Sequence, residues 1–263
     1  MLRSLWSSAT GMVAQQTNLD VVSHNLANVN TVGYKKRRAD FEDLLYQIYR
    51  EPGTPVEPNS TIPTGVQVGL GTRVVATPSF MREGNFEITE NPLDWAIAGE
   101  DGYFQVTQTD GTIAYTRAGA WQIDGEGQIV NHDGLLLEPA IVIPENAVDI
   151  ILSPNGQLSV RLAGETELQE VGQLELARFI NPAGLYALGN KLFMETEASG
   201  PPILAEPGVD GIPTVRQGIL EMSNVQVVEE MVEMIIAQRA YEANSKGIQT
   251  ADDFLRIANG LKR

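Results

Sequence analysis

Two stripes of side chains, one at each end of the chain, constrain this sequence most. Leu5, Ala9, Met12, Gln16, Leu19, Ser23 and Leu26 are spaced 4-3-4-3-4-3, and so are Val227, Met231, Met234, Gln238, Tyr241, Ser245 and Ile248. Such spacing follows one face of a helix, because it averages close to one α-turn per step. Neighbouring stripes widen each face, with Leu2, Trp6 and Val13 at the start and Val228, Val232 and Ile235 at the end. The pattern predicts a helix over about the first 28 residues, ending by Gly33. It predicts a second from 224 to 261, about 57 Å long at ~1.5 Å per residue. Ser223 followed by Gln226 has the form of a capping box for the second helix, and Lys262 and Arg263 suit the negative end of its dipole.

Helices this long need a cover for their apolar faces, and two helices at opposite chain ends most simply cover each other. The termini are therefore expected to meet, and everything between them becomes an insertion. The expected fold class is α+β: paired N- and C-terminal helices (1–30 and 224–263) forming a coiled-coil-like core, with an inserted, mainly antiparallel β domain (85–215). A connecting region (31–84 and 216–223) contains an extended Pro-rich segment.

That segment, "EPGTPVEPNSTIPTG" from 51 to 65, holds four prolines and almost no apolar periodicity, so it reads as an extended or irregular connector. Farther on, short alternating or β-branched runs follow one another: "YFQVTQ", "TIAYTR", "WQID", "QIVN", "AIVIP", "DIILS" and "QLSVRL". Between them "TDG", "DGEG", "HDG" and "PNG" supply the positive-φ residues of hairpin turns.

Composition removes several classes of function. There is no cysteine, hence no disulfide framework, thiol nucleophile or thiolate metal site. The 34 acidic residues against 18 basic ones give a net charge of -16, which repels nucleic acid and anionic membrane surfaces. No run is apolar and long enough to insert into a membrane, and the first residues lack the pattern of a Sec-type signal. The acidity is concentrated: residues 51–215 carry six basic and 23 acidic side chains, whereas 1–50 carry six and four and 216–263 carry six and seven. Nearly neutral ends can pack densely, and the acidic middle is expected to face solvent.

No stretch carries a catalytic or metal-binding pattern. His24 lies in the amide-rich first helix, and His132 in "NHDG" reads as a hairpin turn. "DGEGQIVNHDG" lacks the register of a calcium loop and reads as paired tight turns. "GVQVGLGTRV" lacks the lysine and helix of a phosphate loop and suggests a bulged strand or close backbone approach. The basic run Lys35, Lys36, Arg37, Arg38 is expected to pair with Asp40, Glu42 and Asp43 or with an acidic neighbour. No cofactor is expected.

Gln15, Gln16, Asn18, Ser23, Asn25, Asn28 and Asn30 crowd the first helix although such residues weaken an isolated helix. Surrounded by copies of itself, the helix could bury its stripe while amides exchange hydrogen bonds between subunits. An intramolecular two-helix stalk is the plainer alternative. The assembly reading makes Leu5, Met12, Leu19, Leu26, Val227, Met231, Met234, Ile235, Tyr241 and Ile248 the candidate self-assembly core.

The segment "SLWSSATGMVAQQTNLDVVSHNLANVNTVGYKKRRADFEDLLYQ" resembles the N-terminal motif of bacterial flagellar rod and hook proteins. "GILEMSNVQVVEEMVEMIIAQRAYEANSKGIQTADDFL" resembles their C-terminal motif, and with "PTGVQVGLGTRV" the likeness covers more than a third of the chain. The length, the connector "YQIYREPGTPVEPNSTIPTG" and the following "GLGT" point to the distal-rod branch. The resemblance implies a non-enzymatic homo-polymer of many copies, a rigid hollow drive shaft of the basal body that crosses the periplasm. Implied partners are proximal rod proteins, the hook protein, the enclosing periplasmic and outer-membrane rings and the flagellar export apparatus, through which the chain would pass without a cleaved signal peptide. It also implies that residues 46–65, with Tyr46, Pro52, Pro55, Pro58 and Pro63, brace neighbouring subunits. Two other readings stay open at this point: a proximal-rod or hook component, and a glycan-acting hydrolase displayed on a helical stalk.

Overall fold

The computed structural model describes residues 2–53, 55–57, 60–165, 167–209 and 211–260; Pro58, Lys262 and Arg263 lie outside them. Helix α1 (Leu2–Ala27) ends where Asn28 opens a turn. Thr31 N–H donates to the Asn28 carbonyl at 3.1 Å, its hydroxyl to the Asn28 side chain at 3.1 Å, and Gly33 follows at φ +71°. Any Cβ at Gly33 would strike the backbone of Ala118, so glycine is required there twice over. Helix α2 (Val227–Gly260) begins three residues later than the sequence pattern suggests. The expected capping box does not form: Ser223 is buried and accepts from the N–H of Val225 at 3.3 Å. Glu229 and Glu230 in the first turn supply the negative charge that a helix start favours.

The described residues cluster into two compact units. One gathers α1, residues 37–78 and α2. The supposed extended connector is, in its place, a long antiparallel ribbon. Strand β1 (Asp40–Asp43) pairs with β6 (Thr72–Ala76), β2 (Tyr46–Arg50) with β5 (Val66–Gly69), and β3 (Pro55–Glu57) with β4 (Ser60–Thr61). Prolines are tolerated because a two-stranded ribbon is all edge, and an outward-facing backbone needs no N–H for the ladder. Register shifts at Asp40/Phe41, Ile48/Arg50 and Pro55/Glu57 mark where the alternation slips, while the strand read from "GVQVGLGTRV" is present as β5 and β6.

The other unit holds residues 27–36 and 79–226 and is an antiparallel β domain. Its seven-stranded sheet runs, from edge to edge, Gln122–Ile123, Ile129–Val130, Leu136–Glu138, Phe104–Thr107, Ile113–Thr116, Leu192–Met194 and Tyr186–Gly189. A three-stranded meander (Ala147–Leu152, Gln157–Leu162, Leu168–Gln173) and three two-stranded ladders complete it. Trp95, Phe104 and Trp121 centre the main core, with Phe104 and Trp121 edge to face at 5.5 Å; Tyr103, Tyr115, Phe179 and Phe193 form a second cluster. The turns fall as expected: Asp124 Oδ1 accepts from the N–H groups of Glu126 and Gln128, and Asn131 does the same for Asp133 and Leu135. "AIVIP" is not a strand. Ile141 and Ile143 are buried, but the segment makes only an isolated bridge from Val142 to Gln128.

A buried ionic cluster closes this unit. Glu221 accepts from Lys35 Nζ at 2.5 Å, from Arg117 Nε at 2.9 Å and from the N–H of Gly84 at 2.9 Å. Arg117 spends its remaining donors on the carbonyls of Gly99 and Gly102 at 2.7 and 2.8 Å, and Lys35 also reaches the Arg82 carbonyl at 2.7 Å. Burial alone would raise the Glu221 pKa, yet the two cations outweigh it and hold the carboxyl below its usual value. Burial and then Arg117 lower Lys35 to about 8 against the pull of Glu221. Lys35 thus departs from the expectation that its basic run pairs locally. Arg38 meets it, bonding Asp40 at 2.8 Å on the surface.

Candidate self-assembly interface

In the helix-bearing unit, α1 and α2 run antiparallel at one register. Asn25 lies against Glu230, Gly11 against Asn244 and Ser8 against Gly247, so every step down one helix matches an equal step up the other. A Cβ on Gly11 would come within 2.9 Å of the Asn244 amide, and one on Gly247 within 2.9 Å of the Ser8 hydroxyl. Ala14, Ala237 and Ala251 are buried along with them. Glycine at these two points leaves room for the Asn244 amide and the Ser8 hydroxyl of the facing helix, so small and polar residues close this seam. Near α1's end Asn25 Nδ2 donates to the Arg37 carbonyl at 2.7 Å and to Glu230 Oε2 at 3.0 Å, while its Oδ1 accepts from the Arg37 N–H at 2.9 Å. One amide joins α1, α2 and the entry to the ribbon.

The larger apolar side chains are left over. Val228 is 74 % and Ile236 62 % exposed, and Met231, Val232 and Ile235 between them are at least half exposed. These five stand at i, i+3, i+4, i+7 and i+8, a continuous strip along the first half of α2. Of the other residues singled out from the sequence, Val227 and Tyr241 are exposed, and Met234, Ile248, Leu5, Met12, Leu19 and Leu26 are half-buried. The expectation that the large stripes cover each other thus holds only in part. The helices do pair, but through a small-residue seam the periodicity did not single out.

Against α1 lies the base of the ribbon. The N–H of Thr72 donates to the Thr10 hydroxyl at 3.3 Å, and Gly71, at φ +125°, passes so close to Thr10 that a side chain there would collide with it. The close backbone approach read from "GVQVGLGTRV" is this contact. The Arg3 guanidinium sits over the Tyr49 ring, 4.9 Å from its centroid. Between α1 and the ribbon base runs an open groove of about 490 Å³, whose lining includes Trp6, Thr10, Val13, Thr17, Leu44 and Val74. Trp6 and Val13 are 70 % and 66 % exposed in it.

Farther out, the ribbon shows apolar side chains on both faces: Leu45 is 83 % exposed, and Tyr46, Ile48, Tyr49, Val66 and Val68 are exposed as well. The Asp43 carboxylate accepts the Tyr46 hydroxyl and holds that phenol above its ordinary pKa. Pro52 and Pro63 are exposed, and Pro55 opens β3 opposite Thr61. Among the described residues no group of three acids or histidines could hold a metal ion, and His132 faces Gln122 across its turn at 3.1 Å. What the arrangement offers is contact surface.

Three family profiles match the chain: "Flagella basal body rod protein" over residues 5–35, "Flagellar hook protein FlgE/F/G D1 domain" over 96–160 and "Flagellar basal body rod FlgEFG protein C-terminal" over 216–261. The flagellar basal-body rod protein FlgG of Borreliella burgdorferi is 50 % identical over 265 residues, covering all of both chains. The proteins of that name from Caulobacter vibrioides and Bacillus subtilis are 46 % and 38 % identical, over 99 % and 100 % of this chain and all of theirs. With such likeness along the full length of its relatives, this chain belongs to the flagellar basal-body rod protein family, with the FlgG proteins, a family of structural subunits of the basal body and not of enzymes.

Proposed function

We propose that copies of this chain polymerise through the helix pair into the distal rod, a rigid, hollow, helical drive shaft that crosses the periplasm and passes torque from motor to hook. The observation that carries this reading is the exposed strip Val228 to Ile236. A helix whose own partner is fitted through Gly11, Ala14, Ala237 and Gly247 still presents five large apolar side chains to solvent, and burying each is worth about 1.5–3 kcal/mol. Repeated along a polymer, such contacts act in parallel. The ribbon, apolar on both faces, braces adjacent subunits, and the acidic β domain faces outward to the enclosing rings. Proximal rod proteins and the hook protein adjoin the two ends of the stack, and the chain reaches them through the export apparatus.

Sedimentation velocity with negative-stain microscopy tests this on the full chain beside Met231→Asp, over a range of concentrations. Straight fibres or large oligomers from the natural chain only are expected. A natural chain that stays monomeric throughout counts against the proposal.

A further inference from the structure

The strip on α2 and the groove on α1 occupy successive, non-overlapping stretches of the same helix pair. By the antiparallel register, residues 228–236 stand beside the last third of α1, whereas the groove follows α1 from Trp6 to Thr17, beside residues 238–249 of α2. A chain therefore cannot fill its own groove with its own strip. Their dimensions agree: the strip spans about 12 Å and the groove about 16 Å at ~1.5 Å per residue. Anchors at i, i+3, i+4, i+7 and i+8 are the pattern by which an amphipathic helix seats in an apolar trough. Arg73 lines the groove but is paired with Glu42 at 3.2 Å, so the match rests on the apolar fit.

We infer that the α2 strip of one copy, Val228 to Ile236, docks in the groove between α1 and the ribbon base of the next copy. This rests on the self-assembly reading above and names the surfaces it uses. The two surfaces differ, so the contact is head to tail, and a heterologous contact whose rotation does not close generates an open helical filament. Each added copy leaves one strip and one groove unfilled at the two ends, so growth continues by the same step. Thr10 holds the ribbon base to α1, which makes the groove a preformed feature of the subunit.

The absence of cysteine makes the test direct. Val13 and Val232 are both exposed, and in one chain the register sets them ten residues apart along the helix pair, about 15 Å. A disulfide needs Cα atoms within ~7 Å, so a bond between cysteines there must join two copies. The full-length Val13→Cys/Val232→Cys chain is oxidised mildly at concentrations where association is seen by sedimentation and run on a non-reducing gel. A ladder of covalent multimers is expected, on the order of a hundredfold more cross-linked chain than from Val148→Cys/Val232→Cys, because a docked pair holds its thiols at millimolar effective concentration. Association with no such ladder overturns the proposed contact and leaves self-assembly standing. Failure of the chain to associate at any concentration overturns both.

Discussion

Asn25 Nδ2 donates to Glu230 Oε2 at 3.0 Å across 205 residues of sequence, and both side chains are fully buried. The same amide takes the N–H and C=O of Arg37, so it satisfies backbone groups where the chain leaves α1 for the ribbon. From the sequence the amides of α1 were expected to serve contacts between subunits. This one serves the subunit itself, fixing the register from which Gly11 meets Asn244 and Ser8 meets Gly247.

Replacing Asn25 by Leu should cost about 2–4 kcal/mol, since it orphans both Arg37 backbone groups and strips a donor from a buried carboxylate. Urea unfolding of the full chain measures this. A loss below about 0.5 kcal/mol would show that the register has other means of support.

Glu221→Gln is expected to cost about 3–5 kcal/mol, because Lys35 and Arg117 remain buried side by side without their anion. Lys35→Met should cost less, since Glu221 keeps Arg117. A pH dependence follows. The folded pKa of Lys35, about 8, lies below its unfolded value of 10.5, so the unfolded chain binds more protons between the two. This group therefore makes stability rise with pH through that window. Urea midpoints at pH 7.5 and 9.5 should rise more for the natural chain than for Lys35→Met, and equal slopes would contradict the assignment. For Glu221 the folded pKa is depressed, so its contribution is present above the unfolded carboxylate range and is lost as pH falls through the folded value.

How much of this was readable in the sequence depended on the range of the interaction. Periodicity located both helices, and the hairpin turns around Asp124 and Asn131 announced themselves because their hydrogen bonds close within four residues. Of the ribbon only the strand in "GVQVGLGTRV" was read; its pairing, Tyr46 with Gly69 and Arg50 with Val66, was not, because a register shift breaks the alternation. The triad Lys35, Arg117, Glu221 leaves no local trace, its members being separated by 82 and 104 residues. The helix seam was hidden for another reason. Apolar periodicity weights large side chains, and this seam is made of Gly11, Ala14, Ala237 and Gly247.

The seam can be opened selectively. Gly247→Leu places a side chain against Ser8 where even a Cβ is crowded, and should cost about 1–3 kcal/mol of unfolding stability by overpacking. Gly260→Leu, where no neighbouring atom lies within 4 Å, should change it by less than about 0.5 kcal/mol. Equal effects would mean that the close approach is not what holds the helices.

Shortening the ribbon separates bracing from polymerisation. Leu70 N–H donates to the Leu45 carbonyl at 3.2 Å, so residues 46–69 can be replaced by Asn-Gly, which closes a two-residue hairpin at that point. The base of the ribbon, and with it the groove beside Leu44 and Val74, stays in place. Polymers should still form but bend, read as a shorter persistence length by electron microscopy. Straight fibres from the shortened chain would remove the ribbon from any part in stiffness.

The strip makes the last prediction. Met231 and Ile235 are exposed, so Met231→Asp or Ile235→Asp should shift unfolding stability by no more than about 0.5 kcal/mol and leave the β domain intact. In a polymer the same carboxylate would be buried without a partner, at a cost of several kcal/mol per contact that each added copy incurs again. Leu19→Asp differs in kind: Leu19 is half-buried, so its loss should show both in unfolding and in assembly. Folded chains that no longer form fibres are the expected result for the two α2 variants, read by circular dichroism and sedimentation on one sample. Normal fibres from either would mean that the strip faces solvent in the assembled shaft as it does in the single subunit.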